Sequence, residues 1–404
     1  MLRIFNTLGK QLEIFSPVDR KKANVFTCGP SVYQKSHIGN FRTFLFEDIL
    51  VRYLEYSGFS VKRGMNLTDI EDKALQEAKK RKMTVKDLTE ANIKNFLREM
   101  KLLKMRIPDY LPRASEAIDE TVEIINQLLK RKIAYWHRGN VYFDPLKYPR
   151  FGELYGLDMT RWPGEKKRFH KDTYPGMRWN RGDFILWHGY KEGDLYWDAP
   201  IGRGRPSWNI QDPTLILKHY HGTLSIYCGG IDNLFRHHDY TRAIVESVRP
   251  YPMARFWLHC HHLMVKGQKM SKSKGNIYYV EDLLKDGYSA DEIRFFLIYG
   301  HYRKELNFTK EKMRSAAEKL KNLKRKASGI GRKASQTSEV DREILKRVKE
   351  TFTRKMDDDL DVEGAFDKLD EFVEDIKLET LKPKTASGLT KGLREVDEVL
   401  GVLF

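Results

Sequence analysis

Two short polar segments contain residue types that could bind and activate a nucleotide. His37-Ile38-Gly39-Asn40 follows a predicted strand end at Cys28-Gly29-Pro30 and precedes a predicted helix. Lys269-Met270-Ser271-Lys272-Ser273 lies in a predicted loop bounded by two glycines. An imidazole beside a helix N-terminus can meet phosphate oxygens, and Gly39 lets a nucleotide ring approach the backbone. Two lysines and two hydroxyls on a mobile loop suit a pyrophosphate that gains charge as it leaves.

Strands and helices must hold these segments in place. Apolar runs ended by turn residues predict strands at residues 25–28, 60–67, 224–227 and 256–264, and a period of 3.6 predicts a helix over residues 41–56. A strand–helix–strand unit of this kind predicts a parallel, doubly wound α/β sheet. In such sheets, ligands gather where strands end and helices begin, which is where both polar segments fall.

The rest of the chain divides by its pattern. Residues 70–135 are predicted to be mostly helical, and residues 136–208 to form short strands and loops rich in Gly, Pro and Trp. After residue 291 the pattern is helical to the end, with a predicted interruption at residues 328–338. We therefore predict a catalytic α/β domain over residues 1–305, with an inserted α/β segment at about residues 100–205, and a C-terminal α-helical domain over residues 306–404.

Composition excludes several classes of protein. The chain has 404 residues, of which 41% are hydrophobic and 12% aromatic, so general disorder is excluded. It contains no run of about 18 apolar residues and no signal-peptide pattern, which predicts a cytoplasmic protein without a membrane span. Three scattered cysteines, at positions 28, 228 and 260, are too few for a disulfide scaffold. We expect a monomer with reduced thiols.

The positive charge of the chain points to a polyanionic partner. Lys and Arg number 73 against 56 Asp and Glu, a net charge of +17, and nucleic acid is the commonest polyanion in cytoplasm. Ten basic residues fall between Lys310 and Lys333, with only Glu311 and Glu318 among them. Such a run is either a solvated helix face or a surface that contacts phosphates.

Both polar segments, in this order and spacing, resemble those of class I aminoacyl-tRNA synthetases, and in particular the cysteinyl-tRNA synthetase family. The first strand and turn, Phe26-Thr27-Cys28-Gly29-Pro30-Ser31-Val32-Tyr33, is similar to that family's, as is Asn66-Leu67-Thr68-Asp69-Ile70-Glu71-Asp72-Lys73. Further similar segments, among them Gly229-Gly230-Ile231-Asp232, extend the resemblance from about residue 20 to 365. It implies a Rossmann-like, HIGH-type nucleotide-binding parallel sheet followed by a helical stem-contact domain.

The resemblance implies that a substrate carboxylate attacks the α-phosphate of ATP, taken with Mg²⁺, to give an aminoacyl-adenylate and pyrophosphate. The substrate supplies the nucleophile, so the protein's part is alignment and electrostatic stabilisation. The residues with an implied catalytic role on the phosphates are His37, Asn40, Lys269 and Lys272. The residues implied to bind the rest of ATP are Gly39, Gly229, Gly230, Asp232, Ser271 and Ser273. For Asp232, a helix N-cap is the structural alternative.

The amino-acid pocket departs from the family pattern. By position the resemblance implies a pocket formed by Cys28, Thr68, Trp208, Asp212, Tyr227 and His237. The family binds cysteine through a zinc ion held by two cysteines, a histidine and a glutamate. Cys28 and His237 match the first cysteine and the histidine, but Asp212 replaces the second cysteine and Thr241 replaces the glutamate.

Two interpretations of this pocket stay open on the sequence. Cys28, Asp212 and His237 could hold zinc as three protein ligands, with lower affinity because a hard oxygen replaces soft sulfur. Coordination chemistry favours the second interpretation, a metal-free pocket in which Asp212 is a free carboxylate that pairs with a cationic or hydroxylated substrate. Cys228 could also supply the missing thiolate.

The acceptor of the activated amino acid is also open on the sequence. The basic segment after Lys310 favours transfer to tRNA, the activity that the resemblance implies, with cysteine as the amino acid. The chain ends about 40 residues after Met356-Asp357-Asp358-Asp359, and its altered pocket allows an alternative: a tRNA-independent ligase that uses a small amine or a carrier protein. A non-catalytic nucleic-acid-binding protein is disfavoured, because both ATP segments are intact.

Overall fold

The computed structural model describes residues 1–159, 183–271 and 274–404. The strands, numbered in chain order, are β1 (Arg3–Asn6), β2 (Gln11–Ile14), β3 (Lys22–Thr27), β4 (Ser60–Met65), β5 (Ala134–His137), β6 (Asn140–Phe143), β7 (Phe184–Gly189), β8 (Gly204–Pro206), β9 (Leu224–Gly230), β10 (Ala254–Cys260), β11 (Leu263–Val265), β12 (Gln268–Lys269) and β13 (Leu306–Phe308). The helices are α1 (Ile38–Tyr56), α2 (Asp72–Arg81), α3 (Val85–Leu102), α4 (Ile118–Lys130), α5 (Trp208–His219), α6 (Tyr240–Val248), α7 (Val280–Lys285), α8 (Ala290–Ile298), α9 (Lys310–Ala334), α10 (Arg342–Met356), α11 (Val362–Glu374) and α12 (Pro383–Leu400).

The central sheet has four parallel strands in the order β10–β9–β3–β4. Every residue of β9 is buried, as expected for a parallel strand covered on both faces. The register pairs Thr27 at the end of β3 with Cys228 in β9, so the chain beyond β3 lies beside the carboxyl end of β9. The predicted parallel sheet and its β3–α1–β4 unit are confirmed, and ligands of such sheets bind at this edge.

A second, antiparallel sheet follows in the predicted insertion. Its strands lie in the order β5–β6–β7–β8, and their buried side chains pack with α4 and α6 in a hydrophobic cluster of their own. Phe143 and Phe184 stack at its centre with a centroid distance of 4.7 Å. The rigid sheet supports α5, which begins directly after β8 and carries two of the predicted pocket residues, Trp208 and Asp212.

The C-terminal helices α9 to α12 share one hydrophobic core with the parallel sheet. The predicted interruption at residues 328–338 is wrong in its first half, because α9 continues to Ala334. Gly329 packs closely inside this helix, since a Cβ there would lie 2.9 Å from a terminal methyl group of Leu378, which would have to shift. The chain leaves the helical path only after Ala334, and Asp341 then caps α10 by accepting a hydrogen bond from the Ile344 amide. The domain boundaries at 305 and 306 stay a prediction.

Among the helices of the described residues, none has the length and apolar character needed to cross a bilayer.

Candidate active site

A cavity of about 280 Å³ lies where β3, β4 and β9 end and α1 begins. The predicted site residues that line it are Cys28, His37, Asn40, Thr68, Trp208, Gly230, Asp232 and His237. The cavity therefore joins the predicted nucleotide segment and part of the predicted amino-acid pocket in one space. Gly39, Gly229, Asp212, Tyr227, Lys269 and Ser271 lie around it rather than on its wall. Lys272 and Ser273 lie outside the described residues.

The turn between β3 and α1 depends on a glycine that nothing larger could replace. A Cβ at Gly29 would lie 1.8 Å from the backbone oxygen of Asn66, which follows β4. The Gly29 amide donates to the Asn66 side-chain oxygen at 2.7 Å, and the Asn66 side-chain amide in turn donates to the Thr68 hydroxyl at 3.2 Å. This contact holds the chain segments that follow β3 and β4 together at the cavity wall.

His37 caps α1 and faces the cavity in a defined protonation state. Its Nδ1 accepts a hydrogen bond from the Asn40 amide at 3.2 Å, and the Asn40 side-chain oxygen accepts one from the His37 amide at 3.0 Å. Because Nδ1 is an acceptor, the proton of the neutral ring is on Nε2. A neutral donor at a helix N-terminus is suited to a phosphate oxygen.

We expect the His37 imidazole to titrate at a pKa of about 4, because burial disfavours its charged form more than nearby Asp232 favours it. The unfolded chain binds this proton at about pH 6.5. The neutral ring's contribution to folding is therefore complete above about pH 6.5 and is lost as the pH falls from there to about 4. An NMR titration of the ring protons, assigned with His37→Asn, measures this. An ordinary midpoint near 6.5 would contradict the expectation.

Lys269 ends β12 instead of lying in the predicted loop, and the next residue, Met270, lies against the start of α1. The Lys269 ammonium lies 3.5 Å from an oxygen of Asp232 and 3.5 Å from Nε2 of His262. A Cβ at Gly39 would lie 2.4 Å from the terminal methyl of Met270, so this methyl occupies the space that Gly39 leaves. The two polar segments therefore contact each other directly across the cavity mouth. His262 has no counterpart in our sequence predictions.

The floor of the cavity is a hydrogen-bonded cluster around Asp212. One carboxylate oxygen, Oδ2, accepts from the Tyr227 hydroxyl at 2.8 Å and from His237 Nε2 at 2.9 Å, and the Cys28 thiol donates to it at 3.5 Å. Asp212 is therefore not the free carboxylate that the metal-free interpretation expected. Burial, and then the charge of Asp212, raise the pKa values of the Cys28 thiol and the Tyr227 hydroxyl well above their usual ranges. Both groups keep their protons.

Trp208 fixes the ring of His237. The two rings stack with a centroid distance of 4.2 Å and an interplanar angle of 8°. His237 belongs to a π-helical turn, Leu234–Asp239, that leads into α6. Such turns are rare and often occur at functional sites. The stack and the hydrogen bond to Asp212 together leave His237 one orientation, in which its Nδ1 has no hydrogen-bond partner among the described residues.

A chain of histidines behind the floor was missed by the sequence reasoning. His238 Nε2 lies 3.0 Å from the Cys28 sulfur, and its Nδ1 lies 2.7 Å from His259 Nε2, whose ring continues to the Thr7 hydroxyl at 2.8 Å. Burial lowers the pKa of His238 well below its usual range and that of His259 to about 3, so both rings are neutral. The doubled histidine at 237 and 238 was the available signal.

Gly229 and Cys228 are buried and closely surrounded by other side chains. A Cβ at Gly229 would lie 2.9 Å from the His238 ring and 3.1 Å from the Cys28 Cβ, so Gly229 makes room for the contact between those two side chains. Its implied role at adenine or ribose stays a prediction. Within the described chain, the cluster of potential metal ligands near the cavity comprises Cys28, His237 and His238, without Cys228.

The cavity wall also carries an acidic group that the sequence reasoning left without a role. Glu71 lines the cavity, burial raises its pKa to about 7, and its Oε1 has no hydrogen-bond partner among the described residues. Tyr33 lies on the same wall, and burial followed by the charge of Glu71 raises its pKa to about 12. This wall offers an oxygen acceptor to a cationic group of a ligand.

Comparison with known sequences gives one consistent family. The family model described as the catalytic domain of class I tRNA synthetases (C) matches residues 14–318. The cysteine–tRNA ligase of Chlamydia muridarum is 35% identical over 421 residues, covering 100% of this chain and 88% of that protein. The cysteine–tRNA ligase of Brachyspira hyodysenteriae is 35% identical over 405 residues, covering 98% of this chain and 85% of that protein.

Solved structures of the same fold are more distant in sequence. A Mycobacterium tuberculosis methionyl-tRNA synthetase in complex with methionyl-adenylate superposes with a TM-score of 0.63 at 14% identity, covering 95% of this chain and 90% of that one. A ternary complex of the Agrobacterium radiobacter K84 agnB2 LeuRS with tRNA and LeuAMS gives a TM-score of 0.72 at 12% identity, covering 96% of this chain and 85% of that one. These likenesses establish the fold.

Proposed function

The chain belongs to the cysteinyl-tRNA synthetase family of class I ligases, and from this premise we propose that it activates an amino acid with ATP and transfers it to tRNA. The amino acid that the family relationship favours is cysteine. One observation carries the proposal: the capped N-terminus of α1 meets Lys269 and Met270, at the end of β12, across a single cavity, and Asp232 lies beside Lys269.

The arrangement suits adenylate formation. The neutral His37 ring donates from Nε2, and the Asn40 side-chain amide lies on the same wall, so both face a bound triphosphate with donors. The Lys269 ammonium supplies positive charge where pyrophosphate leaves. Asp232 is half-exposed and exchanges its contact with Lys269 for the ribose hydroxyls of ATP. The carboxylate of the amino acid, held over Cys28 and His237, then attacks the α-phosphate in line.

The experiment that tests this proposal is amino-acid-dependent ATP–pyrophosphate exchange by the full chain, followed by charging of bulk tRNA. Exchange measured separately with each proteinogenic amino acid identifies the substrate, and cysteine is the expected one. Radiolabelled amino acid recovered on tRNA establishes the second step. Absence of exchange with every amino acid, in protein that is folded by circular dichroism, would overturn the proposal.

The basic run of α9 is only partly available for tRNA. Five of its ten cations are held by acidic partners within the protein, in the pairs Lys310–Asp286, Lys319–Asp367, Lys321–Glu292, Lys324–Asp291 and Lys326–Glu374. Arg314, Arg325 and Arg332 are exposed and take part in none of these five ion pairs. Their spacings of 11 and 7 residues put them on one face of the helix.

Substituting Arg314, Arg325 and Arg332 together by glutamine is expected to weaken tRNA binding. The plot of log binding constant against log salt concentration should also become less steep, by about one unit of slope for each phosphate that the variant no longer neutralises. Binding is measured by filter retention at several salt concentrations. The matched control replaces three exposed lysines of the α2–α3 region, Lys79, Lys80 and Lys86, by glutamine, which removes the same charge. An equal weakening in both variants would mean that only net charge matters and that α9 is not the contact face.

A further inference from the structure

Asp212 Oδ2 lies at the centre of the pocket floor. Its neighbours are the Tyr227 hydroxyl at 2.8 Å, His237 Nε2 at 2.9 Å and the Cys28 sulfur at 3.5 Å. A carboxylate oxygen only accepts hydrogen bonds, so all three neighbours present hydrogens to it. A metal site has the opposite polarity, because a cation at the centre requires lone pairs from every neighbour.

The zinc ion of the family does not fit these side chains. A sulfur and a nitrogen bound tetrahedrally to one zinc are about 3.5 Å apart, from bond lengths of about 2.3 and 2.0 Å. Of the potential metal ligands Cys28, His237 and His238, the Cys28 sulfur and His238 Nε2 are 3.0 Å apart, a hydrogen-bond distance that is shorter than the separation of two ligands on one zinc. Thr241, at the position of the family's glutamate, is buried and its hydroxyl has no hydrogen-bond partner among the described residues.

We propose that the Asp212 carboxylate takes the place of the metal, so that this enzyme selects its amino acid without zinc. The proposal rests on the function proposed above. Asp212 and Tyr227 lie beneath the cavity wall, whereas Cys28 and His237 are on it. The substrate side chain therefore meets the Cys28 thiol and the His237 imidazole, both oriented by Asp212, and is selected by size and hydrogen bonding rather than by coordination of its sulfur.

The direct test is the metal content of the full chain purified from zinc-supplemented cells, together with cobalt(II) titration of the same protein. We expect fewer than about one zinc per ten chains and no sulfur-to-cobalt absorption band, since the Cys28 thiol and His237 Nε2 are both hydrogen-bonded to Asp212. About one zinc per chain, or a cobalt–thiolate band that disappears in Cys28→Ser, would overturn the proposal. Neither readout depends on activity, so a failure of amino-acid exchange overturns the proposed function separately.

Variants that are expected to gain zinc binding provide a second test. Asp212→Cys combined with Thr241→Glu restores the family's donor set around Cys28 and His237, and about one zinc per chain is expected in that variant. Asp212→Cys alone is the second variant, because a buried glutamate at position 241 can prevent folding. Zinc bound by either variant and not by the wild type supports the proposal, and equal zinc in variant and wild type contradicts it.

Asp212 is a positioning residue in this scheme, and its role has a kinetic signature. Asp212→Asn keeps the shape but weakens the orientation of His237 and Cys28. We expect the KM for the amino acid in pyrophosphate exchange to rise about tenfold, with the KM for ATP unchanged, and 1,10-phenanthroline to leave the wild-type rate unchanged. Inhibition by the chelator, or an equal rise in both KM values, would overturn the assigned role.

Discussion

Replacing Lys269 by alanine is expected to slow pyrophosphate exchange by about 10²- to 10³-fold, the usual effect of removing one preorganised donor to a developing negative charge. Lys269 ends β12 directly before Met270, which contacts α1, and its ammonium is 3.5 Å from Asp232 at the cavity mouth. The charge on the leaving pyrophosphate grows in the transition state. We therefore expect the decrease in kcat, with a smaller change in the KM for ATP.

Lys285→Ala is the matched control for Lys269→Ala. Lys285 is an exposed lysine at the end of α7, outside the cavity wall, and its removal changes the net charge equally. We expect it to leave exchange unchanged. A Lys269→Ala enzyme within about threefold of the wild-type kcat would mean that Lys269 does not stabilise the transition state, since one such contact is worth well over 1 kcal/mol.

The place in the fold of the proposed nucleotide-binding segments could be predicted from sequence because the information for it is local. His37 and Asn40 are three residues apart and cap the same helix, so their joint position follows from a helix start directly after a strand end. The prediction for Lys269 came from the five-residue segment that it begins, Lys269-Met270-Ser271-Lys272-Ser273. The strand that ends at the Cys28 turn and the helix that begins after His37 are enough to put these groups at one edge of a parallel sheet.

The pocket floor could not be predicted, because its contacts join segments that are far apart in sequence. The register of β9 with β10 puts His259 opposite Gly229, and only there does His259 reach His238. Nothing in the spacing of these residues encodes that pairing. Likewise, Asp212 was expected to be free because the sequence does not show the Tyr227 hydroxyl that donates to it.

The charge of α9 was also hard to predict, because it depends on contacts with residues that are distant in sequence. Ten basic residues in one segment predicted either a solvated face or a phosphate-contacting surface, and the structure shows a third use of these side chains, ion pairs within the protein. Asp367 and Glu374 of α11, together with three acidic residues near α7 and α8, neutralise half of its cations. Those acidic residues are up to 48 positions away, so the number of basic residues alone overstated the free charge.

Replacing Arg294 by methionine is expected to destabilise the fold by about 3–5 kcal/mol, the usual cost of removing one partner of a buried ion pair. The guanidinium is fully buried and donates to Asp48 at 2.8 Å, to the Leu103 carbonyl at 2.8 Å and to the Leu400 carbonyl at 2.7 Å. These acceptors belong to α1, to the end of α3 and to the end of α12. One side chain therefore ties the C-terminal helix to the catalytic sheet, and its removal leaves a carboxylate and two carbonyls short of a donor.

Urea unfolding of the full chain measures the Arg294 effect, and its pH dependence separates ion pairing from packing. Burial alone would raise the pKa of Asp48, but the charges of Arg294 and Arg52 more than offset this and hold it below the usual value. The stability that this carboxylate contributes is therefore present above about pH 4 and is lost as the pH falls below that, so the gap between wild type and Arg294→Met narrows in acid. Arg325→Met, on the exposed face of α9, is the control and should stay within about 0.5 kcal/mol of wild type. A gap that does not change with pH would mean that Arg294 acts through its packing and its carbonyl contacts, and not through its charge.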